Sequence, residues 1–291
     1  MPIRPRLRRS GLPVKTFLFW KRQLSLFGFV SLPFFLPLFA AFEEKSFSAR
    51  SAALGESLVG SPLGLDAPHE NPGALVFSDR SGLSLGHTQL YGDADLPTNA
   101  LSGVFSTKRR GAFGFFVADF GSELYREKEI GMAWGGRIGD RAGLGATVKW
   151  QEVEIERYGR LAAYQVDAGI FGRPHPKVGA GVSVKNITQS HLGGTPESPP
   201  ALLNAGVSLD AFARGSTSLA VVSESGGKVS WRAGQEAWFH PAFALRAGFE
   251  TDPNRFALGM GFRFSVFALD YAFLTNPLLP DQHSFNFSFF P

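Results

Sequence analysis

Apolar and polar residues alternate along most of the chain after about residue 80. The clearest case is the last segment, where phenylalanines interleave with small polar residues (Phe285, Phe287 and Phe289 with Ser284, Asn286 and Ser288). Successive side chains of a β-strand point to opposite faces of the sheet. The pattern therefore predicts strands with one aromatic or aliphatic face and one small polar face.

Such segments recur often enough from Ser81 to Phe290 to predict about fourteen strands in an antiparallel meander. An even number allows the last strand to pair with the first and close a barrel. The connections are predicted to alternate between open loops (92–98, 122–127, 154–160, 188–200 and 223–227) and tight turns (108–111, 139–141, 214–216 and 240–241). Long loops at one end and short turns at the other are typical of bacterial outer-membrane barrels, whose loops face outward.

The two strand faces also differ in composition as a membrane barrel requires. Glycine, alanine, serine and scattered charges suit a narrow lumen, and the charges predicted to line it or to form ion pairs there are Lys149, Arg232, Arg246 and Asp270. Aromatic residues toward the strand ends are predicted to form interfacial girdles: Tyr91, Trp134, Trp150, Tyr164, Trp231, Trp238 and Tyr271. We therefore predict an all-β, transmembrane, antiparallel up-and-down β-barrel. A soluble all-β fold is the alternative, since alternation alone does not distinguish lipid from a core.

The residues before the strands divide into two parts. Residues 1–41 carry a basic start, an uncharged apolar run from Leu24 to Phe39 and then Ala40 and Ala41, which predicts a cleaved signal peptide and export. Residues 42–80 are rich in glycine and proline without strand alternation, and are predicted to form an irregular segment in or under the lumen. Residues 81–291 form the predicted barrel.

Charge and cysteine content exclude several functions. The chain has no cysteine, which excludes disulfides and thiolate chemistry. Its net charge of +4 depends on seven basic residues in the first 41; without them, 22 basic residues face 25 acidic ones, a net charge of −3. No nucleic-acid partner is therefore expected. Outer-membrane lipids and lipopolysaccharide are the expected partners of the barrel surface.

Catalytic and metal-binding motifs are not found in the sequence. The six histidines are dispersed without the short spacing that places two imidazoles on one metal, and no GxSxG elbow is present. We predict no enzymatic activity, no catalytic or metal-binding residues and no cofactor.

Short motifs give a more specific hypothesis. Ala49-Arg50, Leu54-Gly55 and Asn71-Pro72-Gly73-Ala74-Leu75 resemble the opening of the PorV/PorQ family of outer-membrane barrels, in which Asn71, Pro72 and Gly73 would form a structural turn. The FadL-type hydrophobic-solute channels share the asparagine-proline element, so that motif marks the broader superfamily. Later segments look more like PorV/PorQ (83–93, 167–171, 185–187, 245–248 and 269–273).

The resemblance implies a non-catalytic adaptor or cargo-binding role in type IX protein secretion or surface attachment, with secretion-machinery proteins and exported cargo as partners. Two departures bear on that role: Glu56 follows Gly55, and Pro291 follows the last aromatic residue. The first alternative is a FadL-like channel for hydrophobic solutes, and the second is a soluble periplasmic binding protein. A continuous apolar lumen would favour the channel, whereas a polar, glycine-packed lumen would favour the adaptor.

Overall fold

A computed structural model describes residues 42, 46–90, 96–107, 111–195, 198–212, 214–277 and 279–291. The predicted signal peptide and Tyr91 lie outside these residues. Fourteen strands make up most of the structure: β1 Gly82–Gln89, β2 Pro97–Ser106, β3 Ala112–Gly121, β4 Tyr125–Ile138, β5 Ala142–Ile155, β6 Gly159–His175, β7 Val178–Lys185, β8 Leu202–Phe212, β9 Gly215–Glu224, β10 Val229–His240, β11 Phe243–Glu250, β12 Arg255–Phe264, β13 Phe267–Leu274 and β14 Gln282–Phe289.

The strands form one closed barrel in which each strand pairs with its sequence neighbours. All pairs are antiparallel, and β14 closes the barrel by pairing with β1, where Leu83 lies opposite Phe289 and Leu85 opposite Phe287. This confirms the predicted up-and-down barrel of fourteen strands. Because the sheet closes, each of the fourteen described strands is paired along both of its edges.

The two ends of the barrel differ in their connections. The loop end carries the connections 90–96, 122–124, 156–158, 186–201, 225–228, 251–254 and 275–281, and the turn end carries 107–111, 139–141, 176–177, 213–214, 241–242 and 265–266. Two predicted open loops are short, because β4, β5 and β6 continue for 14, 14 and 17 residues. Outward-facing ion pairs near their loop ends, Arg126 with Asp119 and Arg160 with Glu154, indicate that these strands extend past the apolar belt.

The outer surface of the barrel is apolar. Large hydrophobic side chains face outward around the wall, among them Leu85, Val148, Leu219, Phe256 and Phe287, all at least 41% exposed. Serines and Asn286 occupy the alternate, buried positions of β14. Such a continuous apolar surface belongs in lipid, so the structure disfavours the soluble alternative.

Residues 46–78, which we call the lumen segment, lie inside the barrel. The segment contains two short helices, α1 Ala49–Ala53 and α2 Ala67–Glu70, and 3-10 turns at Leu58–Gly60, Gly64–Asp66 and Pro72–Phe77; a fourth 3-10 turn, Leu192–Gly194, lies in the longest loop. Ser48 caps α1 by accepting a hydrogen bond from the Ser51 backbone. No helix in the described residues is long and apolar enough to cross a membrane.

Glycines on the inner wall allow the lumen segment to pack closely. A side chain at Gly181 or Gly206 of the wall would collide with Val59, and one at Gly60 of the segment would collide with the Gly206 backbone. Strand backbone and segment backbone therefore meet directly at β7 and β8. The glycine-rich inner face predicted from the sequence serves this packing.

Candidate functional site in the barrel lumen

The Asn71-Pro72-Gly73 motif forms a buried turn against the wall. The Asn71 side-chain oxygen accepts a hydrogen bond from the Gly73 backbone at 3.0 Å, and its Nδ2 donates to Val59 O at 3.0 Å and Ile170 O at 3.1 Å. A Cβ on Gly73 would lie 2.7 Å from Gly169 O. The motif thus joins two parts of the lumen segment to β6, as a structural turn would.

A network of charges holds α1 against the wall. The Nε atoms of Arg50 and Arg246 lie 3.2 and 2.7 Å from Glu236 Oε2. Arg246 Nη1 also lies 2.7 Å from Asp270. Two of the predicted lumen charges, Arg246 and Asp270, therefore belong to one ion-pair network with the segment.

The other predicted lumen charges also face inward and are buried. Arg232 lies 3.3 Å from Glu56 of the segment and 3.8 Å from Glu250 of β11. Lys149 lies 2.9 Å from Asp167 and 3.6 Å from Glu129. All four residues thus form ion pairs on the inner wall, with nearby strands or with the segment.

Three cavities follow one another along the lumen. The loop-end cavity, about 50 Å³, and the middle cavity, about 20 Å³, both touch Phe47 and His69. The wide cavity, about 1,090 Å³, shares Ser48, Leu65, Asp66, Ser84 and Asn286 with the middle cavity and reaches Pro241 and Ser265 at the turn end. The three cavities therefore succeed one another between the loop end and the turn end, with shared lining residues where they adjoin.

An aromatic cluster narrows the lumen where the loop-end and middle cavities adjoin. The Phe47 and His69 ring centroids lie 4.3 Å apart, and those of His69 and Phe116 5.2 Å apart. Phe47 and His69 belong to the lumen segment, whereas Phe116 belongs to β3. The aromatic rings around the loop-end and middle cavities thus come from both the segment and the wall.

A titratable carboxyl group lies where the middle and wide cavities meet. Burial raises the pKa of Asp66 to about 7, although the attraction of Arg50 and a hydrogen bond with Ser48 act to lower it. Asp66 therefore changes charge near neutral pH.

The predicted girdle aromatics mostly face outward. Trp150 and Tyr164 lie opposite each other on β5 and β6 near the loop end, and Trp134 lies nearer the turn end of β4. Trp231 and Tyr271 also face outward. Trp238 instead faces the lumen, where it lines the wide cavity and Arg263 stacks 4.2 Å from its ring centroid.

The sequence pattern does not reveal the contacts that the lumen segment makes with the wall. These are the ion pairs of Arg50 and Glu56 and the ring contacts of His69. Arg50, Glu56 and His69 lie in the irregular segment, where no periodicity assigns a side chain to a face. Among the described residues, no group of three or more histidines and acidic residues is placed to hold a metal ion.

Comparisons with known proteins identify the class of fold. No family model and no curated protein matches the chain. Similar solved structures are the toluene transporter TbuX of Ralstonia pickettii (TM-score 0.65, 14% identity, 84% of this chain and 98% of that chain), the toluene transporter TodX of Pseudomonas putida (0.57, 12%, 86% and 98%) and a FadL homologue of Pseudomonas aeruginosa (0.54, 13%, 82% and 97%).

The chain therefore has the fold of the FadL-type outer-membrane barrels. At these identities the likeness shows the fold alone. The more specific resemblance to PorV/PorQ rests on the sequence motifs.

Proposed function

We propose that the protein is an outer-membrane channel that admits small apolar or amphipathic solutes past the lumen segment. The observation that carries the proposal is the succession of three cavities beside the segment, from the loop end to the turn end. Two of the solved barrels of this fold, TbuX and TodX, are toluene transporters. The role requires no catalytic residue.

The anchoring of the segment supports a path beside it. Ion pairs and hydrogen bonds connect it to β4 through Arg137 and Val76, to β8 through Ser208 and Gly60, and to β10 through Arg50 and Glu236. The middle cavity lies against β1, β2, β3 and β14, where the Ala49 backbone donates a hydrogen bond to Asn286 Oδ1 at 2.7 Å. Solute passage there needs side-chain movement at Phe47 and His69 and leaves these anchors intact.

Uptake by whole cells tests the proposal, because the lipopolysaccharide leaflet slows apolar solutes that cross simple lipid bilayers freely. The initial rate of radiolabelled toluene uptake is compared between cells that express the barrel and cells with empty vector, in a host without hydrocarbon channels. We expect recovery of the barrel in the outer-membrane fraction and faster uptake. Outer-membrane recovery with no change for toluene, benzyl alcohol or phenol contradicts the channel.

A second candidate is the adaptor role implied by the PorV/PorQ resemblance. The polar, ion-paired lumen favours it, because a route for hydrocarbons is expected to be apolar. A tag in the loop 225–228 suits its test, since a Cβ at Gly226 has no neighbour within 4 Å. Affinity purification from the native host recovers secretion-machinery proteins or exported cargo under the adaptor hypothesis. If neither secretion-machinery proteins nor cargo are recovered and solute uptake is observed, the result supports the channel and contradicts the adaptor.

A further inference from the structure

Two buried amide atoms in the loop-end cavity have no hydrogen-bond partner. Gln151 and Gln165 are 3% and 1% exposed and both line the cavity. The unpaired atoms are Gln151 Oε1 and Gln165 Nε2. Buried polar atoms are nearly always paired, so two such atoms in one cavity point to a ligand or to ordered water.

The two amides are neighbours on the lumen face of β5 and β6. Lys149 lies opposite Gln165 and Gln151 opposite Ala163, which makes the glutamines a diagonal cross-strand pair. Gln151 Nε2 donates a hydrogen bond to Glu129 Oε2 at 2.9 Å. Because a carboxylate accepts hydrogen bonds, this contact orients the amide and leaves Oε1 as the open acceptor.

An open acceptor and an open donor in the lining of one cavity match a hydroxyl group, which donates one hydrogen bond and accepts another. Three lysines line the cavity, Lys128, Lys149 and Lys185. Each already faces a carboxylate, of Glu152, of Asp167 and Glu129, and of Glu70 respectively, which disfavours an anion. The rings of Phe42, Phe47 and Phe120 line the same cavity. The lining therefore combines a polar site for one hydroxyl with an apolar, aromatic surface.

We propose that the loop-end cavity binds the hydroxyl group of a small neutral aromatic alcohol, of which phenol is the simplest. The volume of about 50 Å³ accommodates the hydroxyl end of such a ligand, and the ring lies against the phenylalanines as their side chains adjust. This proposal rests on the proposed function and names the class of solute that the channel would select. A site built to hydrogen-bond a hydroxyl discriminates against an analogue that lacks it.

Phenol and toluene provide the matched test, because they differ by a hydroxyl in place of a methyl group. Equilibrium binding to the whole barrel in lipid nanodiscs is measured for each, after subtraction of partition into protein-free nanodiscs. We expect the dissociation constant of phenol to be at least about tenfold lower than that of toluene. Gln165→Leu and Gln151→Leu each weaken phenol binding about tenfold and leave toluene binding unchanged.

Gln282→Leu is the control, because Gln282 faces the lumen outside this cavity and donates to Ser284. It is expected to bind phenol as the wild type does. Equal affinity for phenol and toluene, or no saturable phenol binding, overturns the inference and assigns the open amide atoms to water. The comparison of phenol with toluene uses the wild-type barrel, so it remains a valid test even if a leucine variant fails to fold.

Binding and uptake separate this inference from the proposed function. Selective phenol binding without faster solute uptake supports the site and contradicts the channel. Faster uptake of both solutes without selective binding supports the channel and contradicts the site.

Discussion

Arg50 Nε lies 3.2 Å from Glu236 Oε2, so a helix inside the barrel is held to strand β10 by an ion pair. Glu236 also contacts Arg246, which in turn contacts Asp270 of β13. The network connects the lumen segment to three strands of the wall. The segment is thus fixed to the wall by buried charges, and the same charged side chains line the wide cavity.

Loss of the Arg50 side chain is expected to destabilise the barrel. Arg50→Ala leaves the buried Glu236 with Arg246 alone, and we expect the free energy of unfolding to fall by about 2 kcal/mol. Denaturant unfolding of the purified barrel in detergent measures the change. The control is Arg126→Ala, whose ion pair with Asp119 is exposed and should contribute less than about 1 kcal/mol. Equal losses from both variants contradict the anchoring role.

The Asn71 turn gives a second stability prediction. Asn71→Ala removes the bond to Gly73 and leaves Val59 O and Ile170 O without this donor, so we expect a loss of about 2–4 kcal/mol. The same denaturant titration measures it. Asn99→Ala removes an exposed side-chain contact with His87 and should change stability by about 0.5 kcal/mol or less. If Asn71→Ala lowers the free energy of unfolding no more than Asn99→Ala does, the structural role of the turn is contradicted.

Stability should depend on the ionisation of Asp66. Because burial raises its pKa from 3.8 to about 7, the folded protein binds this proton more tightly than the unfolded chain. The stabilising contribution of the protonated form is complete below pH 4 and is lost as pH rises toward 7. Asp66→Asn, which stays neutral, should therefore be more stable than the wild type at pH 8 and similar to it at pH 4. Thermal unfolding of the wild type and the variant at both pH values measures the difference in stability. A difference of the same size at pH 4 and pH 8 argues against the raised pKa of Asp66.

The aromatic narrowing gives a functional prediction. Phe47→Ala removes one ring between the loop-end and middle cavities, so we expect toluene uptake to rise severalfold in whole cells. Phe105→Ala removes an outward-facing ring and should leave uptake unchanged. Unchanged uptake in Phe47→Ala would show that Phe47 does not limit passage.

The barrel could be predicted from the sequence because strand alternation is a local signal. The phenylalanines of β14 indicate both a strand and which face meets lipid, and fourteen such segments imply closure. The sequence predicts Trp238 as a girdle residue, because an aromatic residue near a strand end usually faces lipid. It faces the lumen, where it forms a cation–π contact with Arg263 of a strand distant in sequence.

The site could be predicted only in part. Lys149, Arg232, Arg246 and Asp270 follow from strand alternation, which places them on the inner face. Glu56, which pairs with Arg232, and Arg50, which pairs with Glu236, lie in a segment without periodicity, so the tertiary packing decides which part of the wall they meet. The open amide atoms of Gln151 and Gln165 depend on the same packing, since a sequence does not show which hydrogen bonds remain unmade.

Blocking the middle cavity tests the central claim most directly. Ser102 lines that cavity, and Ser102→Trp fills it, whereas Ser223→Trp adds the same ring on the outward face of β9. Toluene and phenol uptake is measured in cells whose outer membranes hold equal amounts of each barrel. We predict that Ser102→Trp reduces uptake to the empty-vector rate and that Ser223→Trp retains the wild-type rate. Wild-type uptake in a folded Ser102→Trp barrel would contradict a solute path between the lumen segment and β1, β2, β3 and β14.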